Sequence, residues 1–277
     1  MESQIIQELL NKIKTSKKYK SIADEIIIKE INDYLNKNKI KNISKYDIKQ
    51  IKKSLHMNYA SFQTGKKNKT SKYLDDLKNK IDNNENINEE TRKLLSVTLS
   101  TKERFDDYKK IYSQIFQITG KPKTIIDLGC GFNVFSYPLM NLNELTYCAY
   151  DINEEDIDYL NKYFKIMKPL GLAGKSAILD LRNLSKILYL PSSDIIFLFM
   201  VIDVIDKDNH KNSEELIRQL MDKRKAKYIV ASFATKTFGR KQMNFPKRKW
   251  FELMLKRIGL RFQTIQTNNE VFYVINE

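Results

Sequence analysis

Two periodicities divide the chain. Over residues 1–81 apolar positions recur at helical spacing: Ile5, Leu9 and Ile13, then Ile22, Ile26, Ile27 and Leu35, then Ile48, Ile51 and Leu55. The polar stretches GKKNKT (65–70) and DNNENINEE (82–90) interrupt this pattern. The domain boundary is expected near the second, dividing a helical domain, 1–90, from a second domain, 91–277. From residue 91 one helix is predicted to about Ile118, stopped by Gly120 and Pro122. Beyond it the period changes. Short apolar runs at 124–129, 145–151, 175–181, 194–200 and 227–234 read as strands. They alternate with helical stretches at 134–141, 153–166, 183–189 and 212–223. That alternation predicts an α/β fold, a parallel sheet with helices on both faces. A last helix, 246–258, stops at Gly259. RFQTIQT (261–267) and EVFYVIN (270–276), joined through Asn268 and Asn269, then form an antiparallel hairpin.

The first strand runs into a glycine turn, IIDLGCGFNVF (125–135). A dinucleotide fingerprint needs G-x-G-x-x-G, and the third position here is Val134. No Gly-Lys-Ser/Thr follows, so a P-loop is excluded as well. Asp127 would repel a pyrophosphate, and no basic residue lies between Lys123 and Lys162. S-adenosylmethionine removes the conflict, because it carries a sulfonium, an ammonium and a carboxylate but no phosphate. Asp127 can favour the cationic end, directly or through water. Gly129 and Gly131 allow close approach of the backbone. Asp151, about twenty residues past the loop, is placed for the ribose hydroxyls, and Asp180 for the adenine amino group. Ile152 and Phe199 complete the expected cofactor-binding set. Alternatively, Asp151 is the cap of the following helix and Asp180 pairs with Arg182. Five parallel β/α units with a closing hairpin suit the class I, Rossmann-like methyltransferase sheet.

Charge changes the picture of the partner. The net charge of +15 is uneven: residues 222–261 hold 13 basic against 2 acidic side chains, and residues 1–100 hold 21 against 13. Residues between them are near neutral. Cations at both flanks suit a polyanion, since phosphate neutralisation drives both affinity and encounter. The stretch ATKTFGRKQMNFPKRK (234–249) interleaves Lys236, Arg240, Lys241, Lys247, Arg248 and Lys249 with Phe238 and Phe245. Cations can hold phosphates there while rings stack on a displaced base, unless Phe238 and Phe245 lie in the core. Lys14, Lys17, Lys18 and Lys20 would add phosphate contacts, unless they form a solvated helix face. Two cysteines, Cys130 and Cys148, and two histidines lack metal-site spacing, so no metal is expected. The cysteines read as buried thiols. No apolar run approaches a membrane span and no signal peptide begins the chain. A cytoplasmic monomer is expected.

STKER (100–104), DLGCGFN (127–133), VASF (230–233), WFE (250–252) and NEVFYV (269–274), in this order, resemble the Arm/Rmt family. These are small-subunit ribosomal RNA guanine-N7 methyltransferases, known for aminoglycoside resistance. SKKYK (16–20) and the lysines before His56 resemble that family's helical RNA-binding domain, so the resemblance covers nearly the whole chain. It implies that Arg104 holds the cofactor carboxylate, that Asp151 and Asp180 take ribose and adenine, and that Leu181 packs on adenine. By itself Arg104 could equally pair with Asp106 or Asp107 on a helix surface. The resemblance also implies small-subunit rRNA as partner, with the assembled 30S subunit as substrate.

The chemistry fits what is missing. Guanine N7 has a free lone pair, so transfer needs positioning and desolvation rather than a base, and no catalytic residue is expected. A cytosine-C5 enzyme would need a nucleophilic cysteine after the fourth strand, where FLFMVIDVID (197–206) has none. The sequence departs from the family where Val134 replaces a proline, Met200 a lysine and Ala234 a proline, and where Arg240-Lys241-Gln242 replace a glycine-rich stretch. These changes leave open a catalytically inactive RNA-binding module, or transfer to another RNA position. A small-molecule methyltransferase would not need the basic flanks.

Overall fold

A computed structural model describes residues 2–39, 43–56, 67–206, 211–222, 225–236 and 241–277. Three helices open the chain: α1 (Glu2–Lys14), α2 (Asp24–Asn38) and α3 (Lys45–Leu55). Their apolar stripes meet in a cluster of their own, centred on Ile13, Ile27, Ile31, Ile51 and Leu55. α3 starts with a capping box: the Ser44 hydroxyl accepts from the Asp47 N–H, and the Asp47 carboxylate accepts from the Ser44 N–H at 2.8 Å. α4 (Thr70–Asp82) sends Leu74 and Leu77 into the core beneath the sheet.

The helix expected from 91 to 118 is broken into three. α5 (Asn88–Leu95) ends before Val97, α6 (Leu99–Arg104) follows, and after a single 3-10 turn α7 (Tyr108–Thr119) completes the run. Hydroxyls cause the break. Thr98 is extended, and Thr101 Oγ1 donates to the carbonyl of Leu95 at 2.6 Å, taking an acceptor that a continuous helix would use. The short α6 turns Arg104 inward, 4% exposed.

The sheet has the order β3-β2-β1-β4-β5-β7-β6. β1 (Thr124–Leu128), β2 (Leu145–Asp151), β3 (Leu172–Ile178), β4 (Ser193–Phe199) and β5 (Ala226–Ala234) are parallel. The hairpin β6 (Arg261–Gln266) and β7 (Glu270–Asn276) adds antiparallel strands, with β7 against β5. This is the class I methyltransferase arrangement that the strand pattern predicts. Alternation sorts the central strands: Ile125, Ile195 and Phe197 face one core, Ile126, Ile196 and Leu198 the other. α7 and α8 (Glu154–Met167) cover the first face, and α9 (Lys211–Asp222) and α10 (Lys249–Arg257) the second.

Two local expectations shift. β3 starts and ends three residues earlier than read, because the left-handed turn at Gly171 sets its start and Asp151 pairs with Ile178 at its end. Asp180 therefore sits in the turn after the strand. The glycine loop passes into a 3-10 helix (Asn133–Leu139) rather than an α-helix. Val134 is fully buried there in the core.

Candidate functional site

β1 ends in a turn that only glycine enters easily. Gly129 and Gly131 have φ of +69° and +47°. The N–H groups of Gly129 and Cys130 donate to the Tyr150 carbonyl at 2.8 and 3.0 Å, and Gly131 N–H donates to Asp151 Oδ2 at 2.8 Å. The other Asp151 oxygen accepts from Ile152 N–H at 2.7 Å. Asp151 thus ties the glycine loop to the end of β2. It is not the helix cap: Asn153 caps α8, accepting from Asp156 N–H at 3.1 Å. Burial raises the Asp151 carboxyl above the ordinary range, against its backbone hydrogen bonds.

A cleft opens at the carboxyl ends of the strands. Its walls include Arg104, Gly129, Gly131, Asp151, Ile152, Asp180, Leu181 and Phe199, eight of the nine residues expected to bind cofactor. A Cβ at Gly131 would meet nothing within 4 Å, so the loop backbone there is open to a ligand. Met200, held at φ +61° with its N–H on Ser232, also faces the cleft.

Asp127 is the exception. It lies behind the cleft, fully buried, with Oδ2 accepting from Asn133 Nδ2 at 2.9 Å and Tyr147 Oη at 2.6 Å. Among the described residues, it is Asn133 that links it to the cleft. Burial pushes its carboxyl up to about 6, against the bonds from Tyr147 and Asn133. The sign of the resulting pH dependence is fixed. Between an unfolded value near 3.8 and about 6, the folded chain keeps a proton that the unfolded chain has lost, so stability falls as pH rises. The stability of the protein relative to Asp127→Asn should therefore drop by about 3 kcal/mol between pH ~4 and ~7. Denaturant titrations at several pH values check this; a pH-independent difference rejects the assignment.

Arg104 is not a surface cation. Its Nε and Nη2 each lie 2.8 Å from Glu270 Oε1, and Nη1 donates to Tyr108 Oη at 3.2 Å and Asn133 Oδ1 at 3.3 Å. The guanidinium also lies over the Phe199 ring, 5.2 Å from its centre. Burial opposes its charge, but Glu270 more than compensates and holds its pKa raised. Among the described residues, Glu270 Oε2 and Asp127 Oδ1 are buried without hydrogen-bond partners. Arg104, Asp151 and Asp180 in one cleft wall fit a ligand bearing a carboxylate together with hydroxyl or amino donors. Asp180, by contrast, is gripped by its neighbour: Arg182 Nε and Nη2 reach it at 3.0 Å each. The pairing read as its alternative is present, and Asp180 still lines the cleft.

The family model described as ribosomal RNA methyltransferase (FmrO) matches residues 15–274. The chain belongs to that family. Similar to this FmrO-family chain is the 16S rRNA (guanine(1405)-N(7))-methyltransferase of Micromonospora echinospora, 27% identical over 83% of this chain and 82% of the relative. The protein of the same name from Proteus mirabilis is 25% identical over 98% and 97%. The structure of the 16S rRNA methyltransferase RmtF in complex with S-adenosyl-L-homocysteine covers 98% of both chains, with TM-score 0.77 and 19% identity. The 16S rRNA methylase RmtB gives 0.72, 17% and the same coverage. At such identity these structures show the fold.

The expected RNA-contacting residues of this FmrO-family chain divide. Lys17, Lys18 and Lys20 are exposed, whereas Lys14 pairs with Asp24. Lys241, Lys247 and Lys249 are exposed, and Phe245 is 88% exposed rather than in the core. Lys236 reaches Asn269 Oδ1 at 2.7 Å. Arg248 is spent within the fold: it donates to the carbonyls of Pro246 and Ala234 and lies over the Phe233 ring. Phe238 and Arg240 lie outside the described residues. Cys130 is a buried thiol as expected, while Cys148 is half-buried. Sequence reasoning missed Ile22, Asn133 and Glu270; the last two sit inside stretches that carry the family resemblance, DLGCGFN and NEVFYV.

Proposed function

We propose that this chain transfers a methyl group from S-adenosylmethionine to N7 of a guanine in the decoding region of 16S rRNA. The observation that carries the reading is the cleft, which joins Arg104, Asp151, Asp180 and a glycine turn at the ligand edge of a methyltransferase sheet. Residues 91–277 are the methyl-transfer part and residues 1–90 the RNA-docking part, in which α1–α3 have their own core.

In this reading Arg104 takes the amino-acid carboxylate. The guanidinium carries more N–H donors than its present contacts use. Asp127 orients Asn133 from behind. Asp151 accepts from the ribose and holds the glycine loop against it. Ile152, Leu181 and Phe199 supply apolar walls, with Asp180 at the adenine edge. When bound, the cofactor supplies an electrophilic methyl group. The chain's own residues bind, orient and exclude water, and no side chain is assigned a proton transfer.

The exposed lysines at opposite ends of the chain, Lys17 and Lys18 against Lys241 and Lys247, suit a composite surface, so the assembled 30S subunit is the proposed substrate. A ribosomal substrate puts the reaction in the cytoplasm. Exposed large apolar side chains such as Ile5, Leu170, Tyr189 and Phe245 are scattered along the chain, in keeping with a monomer. Incubation with labelled cofactor and 30S subunits, followed by mapping of the modified base, tests the reading; label only on protein or on a metabolite rejects it. Lys241→Ala should flatten the salt dependence of 30S affinity by about one phosphate contact. Phe245→Ala should weaken 30S binding about tenfold if its ring stacks on a base. Unchanged binding by both variants would remove this loop from the interface.

A further inference from the structure

The two strand-end segments that wall the cleft, Asp151–Asn153 and Asp180–Arg182, are both held by the N-terminal helices. Ile22, between α1 and α2, forms an antiparallel bridge with Asn153. Ala23 N–H donates to the Ile152 carbonyl at 3.0 Å, Glu154 N–H to the Ser21 carbonyl at 2.8 Å, and Asn153 Nδ2 to Ser21 Oγ at 3.0 Å. Ile152 and Ile178 pack against the N-terminal apolar cluster. Lys67 adds a tie from the 3-10 turn that leads into α4, reaching Asn153 Oδ1 at 3.1 Å and Asp156 at 2.8 Å. On the neighbouring segment, the arginine that grips Asp180 sends Nη1 to Glu30 Oε2 at 2.9 Å. Glu30 is 8% exposed, and Ile22, itself 1% exposed, lines the cleft.

We infer that the N-terminal helices complete the adenosine half of the cofactor pocket, with Ile22 as part of its wall and Glu30 as the positioning residue for Asp180. Arg182 is only two residues from Asp180, so their pair alone could turn as a unit. Glu30, 152 residues earlier in the chain than Arg182, fixes the direction in which that pair points. The ordering is physical: Glu30 orients Arg182, Arg182 orients Asp180, and Asp180 faces the ligand. Ile22 works by contact, adding apolar surface opposite the strand ends. The inference rests on the reading of this cleft as an S-adenosylmethionine site, and it adds to that site residues of the segment proposed to dock RNA.

Calorimetry on the full chain tests it with two ligands, S-adenosylhomocysteine and 5′-methylthioadenosine, the second having adenosine but no amino-acid end. Glu30→Gln should weaken both ligands by a similar factor, about tenfold, and Ile22→Val both by about threefold. Arg104→Ala, at the opposite end of the cleft, should weaken S-adenosylhomocysteine far more than methylthioadenosine. That contrast shows that the two ligands resolve the two ends of the cleft. Near-ultraviolet circular dichroism of both the Glu30→Gln and Ile22→Val variants should match the wild type, and a changed spectrum in Ile22→Val beside loss of both ligands would assign the effect to structure and overturn the inference. Wild-type affinity for both ligands in the two variants overturns the inference, as does a loss confined to S-adenosylhomocysteine. Should Glu30→Gln not fold, Ile22→Val decides alone, because loss of one buried methylene is tolerated. Failure of the wild-type chain to bind either ligand would instead overturn the cofactor reading and this inference with it.

Discussion

Arg104→Ala should abolish measurable S-adenosylhomocysteine binding and lower folding stability by about 3–5 kcal/mol. Both effects come from one geometry. The guanidinium is buried and shares Glu270 Oε1 through two nitrogens, so its removal leaves a buried carboxylate without its countercharge. It also takes a donor from Asn133 Oδ1 and a cation from the wall of the cleft. The two effects can be separated. Combining Arg104→Met with Glu270→Gln removes both charges and should recover most of the lost stability, while binding stays lost. Denaturant unfolding and calorimetry on the three proteins read this out. Normal affinity in the single variant would reject a cofactor role for Arg104. Recovery of binding in the double variant would show that Arg104 matters only for folding.

The second large effect is expected at Asp151. Asp151→Ala should reduce affinity for both S-adenosylhomocysteine and methylthioadenosine by about a hundredfold, equivalent to roughly 2.7 kcal/mol. One carboxylate does two tasks here. It accepts from Gly131 and Ile152, fixing the glycine loop over the end of β2, and it lines the cleft. Alanine removes the acceptor and frees the loop. Asp151→Asn keeps an acceptor for Gly131 and should fall between the two. Equilibrium dialysis with either ligand gives the answer, and wild-type affinity in Asp151→Ala would remove this residue from the ribose site.

The parts of the site that were legible are those close to strand ends. Gly129, Gly131 and Asp151 announce themselves because a turn at the end of a buried strand must be made of particular residues. Alternation of apolar positions did the same for the sheet, since period-two burial on both faces is hard to disguise. The breaks between α5 and α6 were harder to read. They depend on which hydroxyl finds a free carbonyl, as Thr101 finds that of Leu95. The position of β3 slipped for a similar reason: its register with β2, not its apolar residues, sets where it stops.

The sequence by itself determined the sheet, the glycine turn at the end of β1 and the uneven positive charge, and its resemblance to the Arm/Rmt family pointed to a ribosomal RNA methyltransferase. Local patterns suffice for these, because turn chemistry, strand burial and net charge are properties of neighbouring residues. Only the tertiary structure decided the electrostatics of the cleft. Arg104 finds Glu270 from 166 residues away, Asp127 withdraws behind Asn133, and Ile22 arrives from the N-terminal helices to meet Asn153. Partners so distant are chosen by how whole elements pack, and a buried charge takes its meaning from the partner that packing brings to it.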